Sequence, residues 1–345
     1  MSRFTIAFCL FALSAGGATA QDLVDPPRYS IDTAEDGLSA WRIDNETGKT
    51  SYCISNGLDS APACSPWADQ PSDIHAPSVD SGEGDDSAID PEFGCEVTGT
   101  EPAPADYYQS IPSGARSESL KVALHRRISA DAKKFRYRDV WAELAKTDAD
   151  PCNPNNVILI YTGRSQPASS RAGSGAGQSD KWTREHIWPK SHGFKYESRA
   201  AYTDLHHLRP ADKSVNSSRG HLDFGIGGKP QREAENTYRS STNWEPRDEV
   251  KGDIARMLFY MEVRYLEPQG NMQKLFLVEE QTDSGQPSLG YLCTLYAWHV
   301  QDPVSNFERR RNNIIHTQQG NRNPFIDHPE WVISIWSSTC GNVGV

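Results

Sequence analysis

One stretch, Lys181 to Phe224, gathers Glu185, His186, His206, His207 and Asn216 together with Arg184, Arg199, Arg209 and Arg219. A carboxylate, an imidazole, an amide and a guanidinium are the groups that hold a hard cation, carry a proton and meet a phosphoryl oxygen. Hydrolysis of a phosphodiester calls for all three: water loses a proton as it attacks, charge on the phosphoryl oxygens is countered, and the departing alkoxide is neutralised. His186 is the candidate base, because neutral imidazole titrates near working pH and its second nitrogen can be fixed by a backbone carbonyl. Glu185 and Asn216 offer hard oxygen ligands. Two such ligands, with the other positions left to water and phosphate, suit Mg²⁺, or Ca²⁺ or Mn²⁺, better than zinc.

These side chains need particular elements beneath them. Adjacent residues of an extended segment point to opposite faces, so Glu185 and His186 share a site only where the strand bends or ends, as Pro189 and Gly193 just beyond them allow. Asp212 can cap a short helix, KSVNSSR, that carries Asn216 and Arg219 and stops at Gly220. The expected arrangement is a strand, a connection and a helix clasping one ion.

The rest of the chain divides by composition. Arg3, the apolar run Ile6–Leu13 and Ala18-Thr19-Ala20 read as a secretory signal peptide over residues 1–20, with no later segment apolar enough to cross a membrane. Cys53, Cys64, Cys95, Cys152, Cys293 and Cys340 then remain, an even set without a C-x-x-C pair, which suits three disulfides in an oxidising compartment. Proximity in the chain suggests Cys53–Cys64, Cys95–Cys152 and Cys293–Cys340. The net charge of −11 is unevenly spread: residues 21–110 hold 19 acidic and 3 basic residues, residues 111–345 hold 27 and 31. The larger part therefore tolerates a polyanionic partner. Residues 21–69 read as a small disulfide-pinned β module. Residues 70–115, including DSGEGDDSAIDPE, read as an acidic linker too poor in apolar residues to fold and without the spacing of a Ca²⁺ loop.

From Ser117 onward helical periods alternate with short apolar runs. Leu120, Leu124 and Ile128 recur at helical spacing, VILIYT at Val157–Thr162 predicts a buried strand, and Asp253–Tyr265 predicts an amphipathic helix. Leu289–Val300 predicts another, and Ser305–Glu308 is a capping box opening a helix that ends at Gly320 and carries Arg309–Arg311, read as a solvated face or a substrate patch.

REHIWPKSHG, DLHHLRP and SVNSSRGHLDF resemble the signature segments of the bacterial endonuclease I family, secreted or periplasmic nucleases of the His-Me finger class. NPNNVILIYTGRSQ, DIARMLFYMEVRY and GNRNPFIDHPEW resemble that family too, in order, over roughly Arg116–Trp336. The resemblance implies an α+β fold with a ββα-metal core in a mostly helical catalytic domain, residues 116–340. It also implies metal-assisted cleavage leaving 5′-phosphate and 3′-hydroxyl ends. On it, His186 would be the base, Glu185 and Asn216 the metal ligands and Arg219 the first choice for a phosphate contact, with Arg184, Arg209 and Arg199 behind it. His206 and His207 are read as bracing within the fold.

The expected protein is a secreted monomer that cleaves DNA, RNA or both through phosphate contacts without reading sequence. Two rivals remain: a metal-independent ribonuclease built on His206 and His207, and a secreted binding or matrix protein with an inert nuclease fold.

Overall fold

A computed structural model describes residues 93–173 and 178–341, with the strands Tyr29–Thr33, Ser39–Asp44, Thr50–Ile54, Ala63–Cys64 and Ile89–Asp90. The signal peptide at residues 1–20 and the acidic run at residues 80–88 lie outside the described residues. The chain forms two compact units, Met1–Ser81 and Gly82–Val345.

In the first unit, β1 (Tyr29–Thr33), β2 (Ser39–Asp44), β3 (Thr50–Ile54) and β4 (Ala63–Cys64) form an antiparallel sheet in chain order. Cys53 stands opposite Cys64 in the backbone register. Their side chains, and with them the expected Cys53–Cys64 bond, lie outside the described residues.

The second unit opens with β5 (Ile89–Asp90) paired to β6 (Cys95–Glu96). Here the expected linker over residues 70–115 is corrected for its described part alone. Residues 93–115 are packed strap: the Cys95–Cys152 disulfide anchors one end, and Asn313 Nδ2 donates to the carbonyls of Gly99 and Glu101. Tyr107 is buried, and Tyr108 Oη donates to Asp327 at 2.6 Å. The composition concealed this because a strap needs only a few anchors when a preformed surface supplies the apolar partners.

Helices α1 (Ser117–Ala130) and α2 (Val140–Thr147) follow. The VILIYT run is only partly a strand. β7 (Asn156–Ile158) pairs with β8 (Ser165–Pro167), and between them Leu159–Tyr161 turns through the core, Ile160 N donating to Pro210 O. Next come β9 (Trp182–His186), β10 (Leu208–Asp212) and α3 (Lys213–Arg219). A four-stranded sheet then holds β11 (Asp223–Phe224), β12 (Lys229–Gln231), β13 (Ala234–Arg239) and β14 (Asn243–Glu245), in the order β11-β14-β13-β12.

Helices α4 (Lys251–Arg264), α5 (Leu292–Gln301), α6 (Asn306–Gln319), α7 (Pro324–Asp327) and α8 (Glu330–Cys340) complete the unit, so the fold is α+β with helices predominating. The central helix is α4. It is buried from Gly252 to Arg264 on every side, not on the single face its sequence predicts, and its polar residues are paired inside. Asp253 accepts from Arg209, Arg256 grips Glu308, and Glu262 meets Lys121. Ser305 and Glu308 form the expected capping box of α6, and Gly320 ends it in the left-handed region. A Cβ there would stand 2.5 Å from the Asp131 carbonyl oxygen. Cys293–Cys340 ties α5 to α8.

Candidate active site

β9 and β10 run antiparallel, with His186 opposite Leu208 and Glu185 opposite Arg209. The chain passes straight from β10 into α3, which packs back on both strands. Asp212 makes that turn: its Oδ1 accepts from Ser214 N at 2.9 Å and from Val215 N at 3.4 Å, the cap that the sequence predicts. Gly220, at φ 64°, ends the helix.

His186 closes β9. Its Nε2 lies 2.9 Å from the carbonyl oxygen of Tyr202, in the connection between the strands. A carbonyl only accepts, so Nε2 carries the proton and the lone pair of neutral imidazole sits on Nδ1. Nδ1 has no partner among the described residues, and it is not one of the enclosed, unpaired nitrogens. Burial, then the neighbouring His207, hold the His186 pKa well below its ordinary value. The ring is therefore in its basic form at neutral pH.

Glu185 is buried, with its two oxygens in different situations. Oε1 accepts from Tyr161 Oη at 2.7 Å and from an Arg219 guanidinium nitrogen at 3.2 Å. Oε2 has no side-chain partner among the described residues and is not enclosed, and the His186 backbone N–H also favours the charged carboxylate. Burial raises the Glu185 pKa, against the opposing pull of Arg219 and the Tyr161 hydrogen bond. Asn216 is half-buried on α3, and its amide has no partner among the described residues. Residues three apart on a helix share a face; Arg219 touches Glu185, so Asn216 stands on the same side.

The arginines separate clearly. Arg219 is buried, donates to the carbonyls of His186 and Ile187 at 3.1 and 2.9 Å, and lies over the Phe224 ring. It therefore positions Glu185 and the end of β9, which corrects its reading as a phosphate contact. Arg209 is corrected likewise: it is buried between Asp148 and Asp253. Arg184 lies 3.4 Å from the Tyr137 ring and 4.3 Å from that of Trp141, half-buried in an aromatic stack. Arg199 alone of the four has no partner for its guanidinium among the described residues, and Tyr202, whose carbonyl holds His186, follows it within the same turn.

His206 and His207 are interior. Their Nε2 atoms lie 3.2 and 2.7 Å from the carbonyls of Asn321 and Ala201, their Nδ1 atoms are enclosed, and burial lowers both pKa values to about 4. The reading of Arg309–Arg311 as a solvated face is also corrected, since Arg311 is buried against Asp148 and Arg310 donates to Ala149 O. Sequence reasoning missed Tyr161 and the Tyr202 carbonyl. Tyr161 sits in an apolar run where its hydroxyl was the only signal, and a backbone carbonyl has no signal at all.

Residues 116–330 match the family model for endonuclease I. The chain belongs to the endonuclease I family. It is 49% identical over 238 residues to an extracellular ribonuclease of Bacillus amyloliquefaciens, covering 69% of this chain and 80% of that protein. An extracellular ribonuclease of Bacillus subtilis (strain 168) is 47% identical over 235 residues, covering 68% and 80%. A periplasmic deoxyribonuclease of Aeromonas hydrophila is 31% identical over 130 residues, covering 36% and 47%. The segments bearing Glu185, His186, Asn216 and Tyr161 all fall within the endonuclease I match.

Proposed function

We propose that this chain is a secreted, metal-dependent endonuclease that hydrolyses RNA and DNA without reading sequence, leaving 5′-phosphate and 3′-hydroxyl ends. The observation that carries the reading is the fixed tautomer of His186. Its Nε2 proton is committed to Tyr202 O, so Nδ1 is the proton acceptor, on the residue next to Glu185, whose Oε2 no side chain of the described residues meets. The β9–β10–α3 unit then serves as a ββα-metal core.

Two oxygen donors without a side-chain partner among the described residues, Oε2 of Glu185 and the Asn216 amide, fit a hard divalent cation such as Mg²⁺ and leave room for water and phosphate. Such an ion would be held by Glu185 and Asn216 and would supply charge to the phosphoryl group and the leaving oxygen. His186 takes the proton of the attacking water at Nδ1, and the Tyr202 carbonyl steadies the imidazolium that results. Arg199, free to turn toward the site, meets a phosphoryl oxygen of the substrate. Secretion is supported by the two disulfides and by the extracellular relatives, and RNA as a substrate by the ribonucleases among them. The rival built on His206 and His207 lacks support, because neither ring has surface to offer a substrate.

Incubation with supercoiled DNA and with structured RNA, each with Mg²⁺ and with EDTA, tests the reading. Both polymers are expected to be cut with Mg²⁺ and spared with EDTA. Cleavage that survives EDTA would sink it.

A further inference from the structure

We propose that Tyr161 is a positioning residue for the cation: with Arg219 it occupies one oxygen of Glu185 and so presents the other, alone, as the ligand. This rests on Glu185 being the metal ligand as proposed above. Tyr161 lies outside the hairpin and helix, at the end of the buried turn Leu159–Tyr161. Its hydroxyl reaches Glu185 Oε1 at 2.7 Å, the shorter of the two bonds to that oxygen.

Two side-chain donors use the lone pairs of Oε1, and no side chain of the described residues donates to Oε2; the remaining donor near the carboxylate is the backbone N–H of His186. The donors are themselves immobile. Arg219 is held by the carbonyls of His186 and Ile187, and the Tyr161 ring packs edge-on against Trp244 at 5.3 Å, with Thr237 Oγ1 donating to the Tyr161 carbonyl. Rotation of the carboxylate would break both bonds to a buried side chain, where an unmade hydrogen bond is costly. Glu185 is thereby kept from offering both oxygens to one ion.

That restriction has a chemical consequence. Mg²⁺ demands a small, regular octahedral shell and keeps several waters, whereas Ca²⁺ accepts more ligands and bidentate carboxylates. A carboxylate limited to one oxygen matches Mg²⁺; one free to turn matches Ca²⁺. Groups that orient a ligand commonly change metal affinity by about 10–100-fold when removed. Tyr161→Phe deletes the hydroxyl and keeps the ring against Trp244.

The experiment is calorimetric titration of the full chain with Mg²⁺ and, separately, with Ca²⁺, for the wild type, Tyr161→Phe and Glu185→Gln, with melting temperatures recorded without metal. The expected result is that Tyr161→Phe weakens Mg²⁺ by roughly tenfold or more while changing Ca²⁺ several-fold less, and that Glu185→Gln loses both. Equal losses of the two ions in Tyr161→Phe, or none, overturn the proposal even where Glu185→Gln abolishes binding. If Glu185→Gln binds Mg²⁺ like the wild type, the underlying ligand assignment fails instead. A variant too unstable to titrate is replaced by Arg219→Lys, which retains a cation but lacks the planar fork that grips Oε1 and two carbonyls at once; the same shift in the Mg²⁺ to Ca²⁺ ratio is expected, and its absence overturns the proposal.

Discussion

The interior charge network and the hairpin site are built from the same residue types. Around α4, Arg209 pairs with Asp148 and Asp253, Arg311 with Asp148, and Arg256 with Glu308 through two bonds of 2.7 and 2.6 Å. At the end of β9, Glu185 also pairs with a buried arginine, and His186 also rests on a carbonyl, as His206 and His207 do. The difference is what remains. In the network the carboxylates are gripped by arginines, and the spare histidine nitrogens are sealed in. At the hairpin and the helix after it, Nδ1 of His186, Oε2 of Glu185 and the Asn216 amide each lack a side-chain partner among the described residues, in a place that is not sealed. The proposed site is thus set apart from the network by unspent, reachable valence, not by density of charge.

The comparison breaks first at His186. His186→Ala should lower the cleavage rate by roughly 10²–10⁴-fold while leaving the melting temperature and binding of uncut substrate close to wild type. Gel-based turnover and a thermal melt measure the two sides. If turnover is unchanged, the open nitrogen is not the base.

Arg209→Ala should do the reverse. Removing it leaves two carboxylates, Asp148 and Asp253, short of a partner in the core, a loss of about 3–5 kcal/mol for a broken buried pair. Urea denaturation would show it, and the protein that remains folded should retain its turnover.

Much of this contrast was open to sequence reading, and the rest was closed for a physical reason. Local devices were legible: the Ser305–Glu308 capping box, the Asp212 cap and the neighbours Glu185 and His186 all act within a few residues of chain. Cys95–Cys152 and Cys293–Cys340 followed from proximity. What a charged residue is spent on is decided by partners far away in the chain. Arg209 meets Asp253 and Arg311 meets Asp148, so neither could be told from a phosphate-binding arginine by its neighbours. Tyr161 was hidden in the same way, as one hydroxyl among apolar residues.

The sealed histidines set the response to acid. His206 and His207 have pKa values lowered to about 4, and His299 to about 3, by burial, against an ordinary value of 6.5. The unfolded chain therefore binds these protons first. Stability is full above pH 6.5 and is lost as pH falls from there toward 4, by roughly 2–3 kcal/mol per histidine. Urea midpoints at pH 7 and pH 5 should differ in that direction. Replacing His299, remote from the hairpin, with Gln should flatten the slope; an unchanged slope would mean that the ring is not protonated on unfolding.

The smallest effect separates two arginines that look alike in the sequence. Arg199 has no partner to lose within the described residues, so Arg199→Ala should leave the urea midpoint within about 0.5 kcal/mol of wild type, as for other surface changes. Its cost falls on substrate. A charge-assisted bond to a phosphoryl oxygen contributes about 1.5–3 kcal/mol, so kcat/KM should fall roughly 10–100-fold. The salt dependence carries the decisive sign, because each phosphate contact releases counterions: the log–log slope of binding against salt should become shallower by about one in Arg199→Ala. In Arg209→Ala that slope should not move. If the slope changes with Arg209 and not with Arg199, the distinction between spent and unspent cations fails at the residues where it was drawn most sharply.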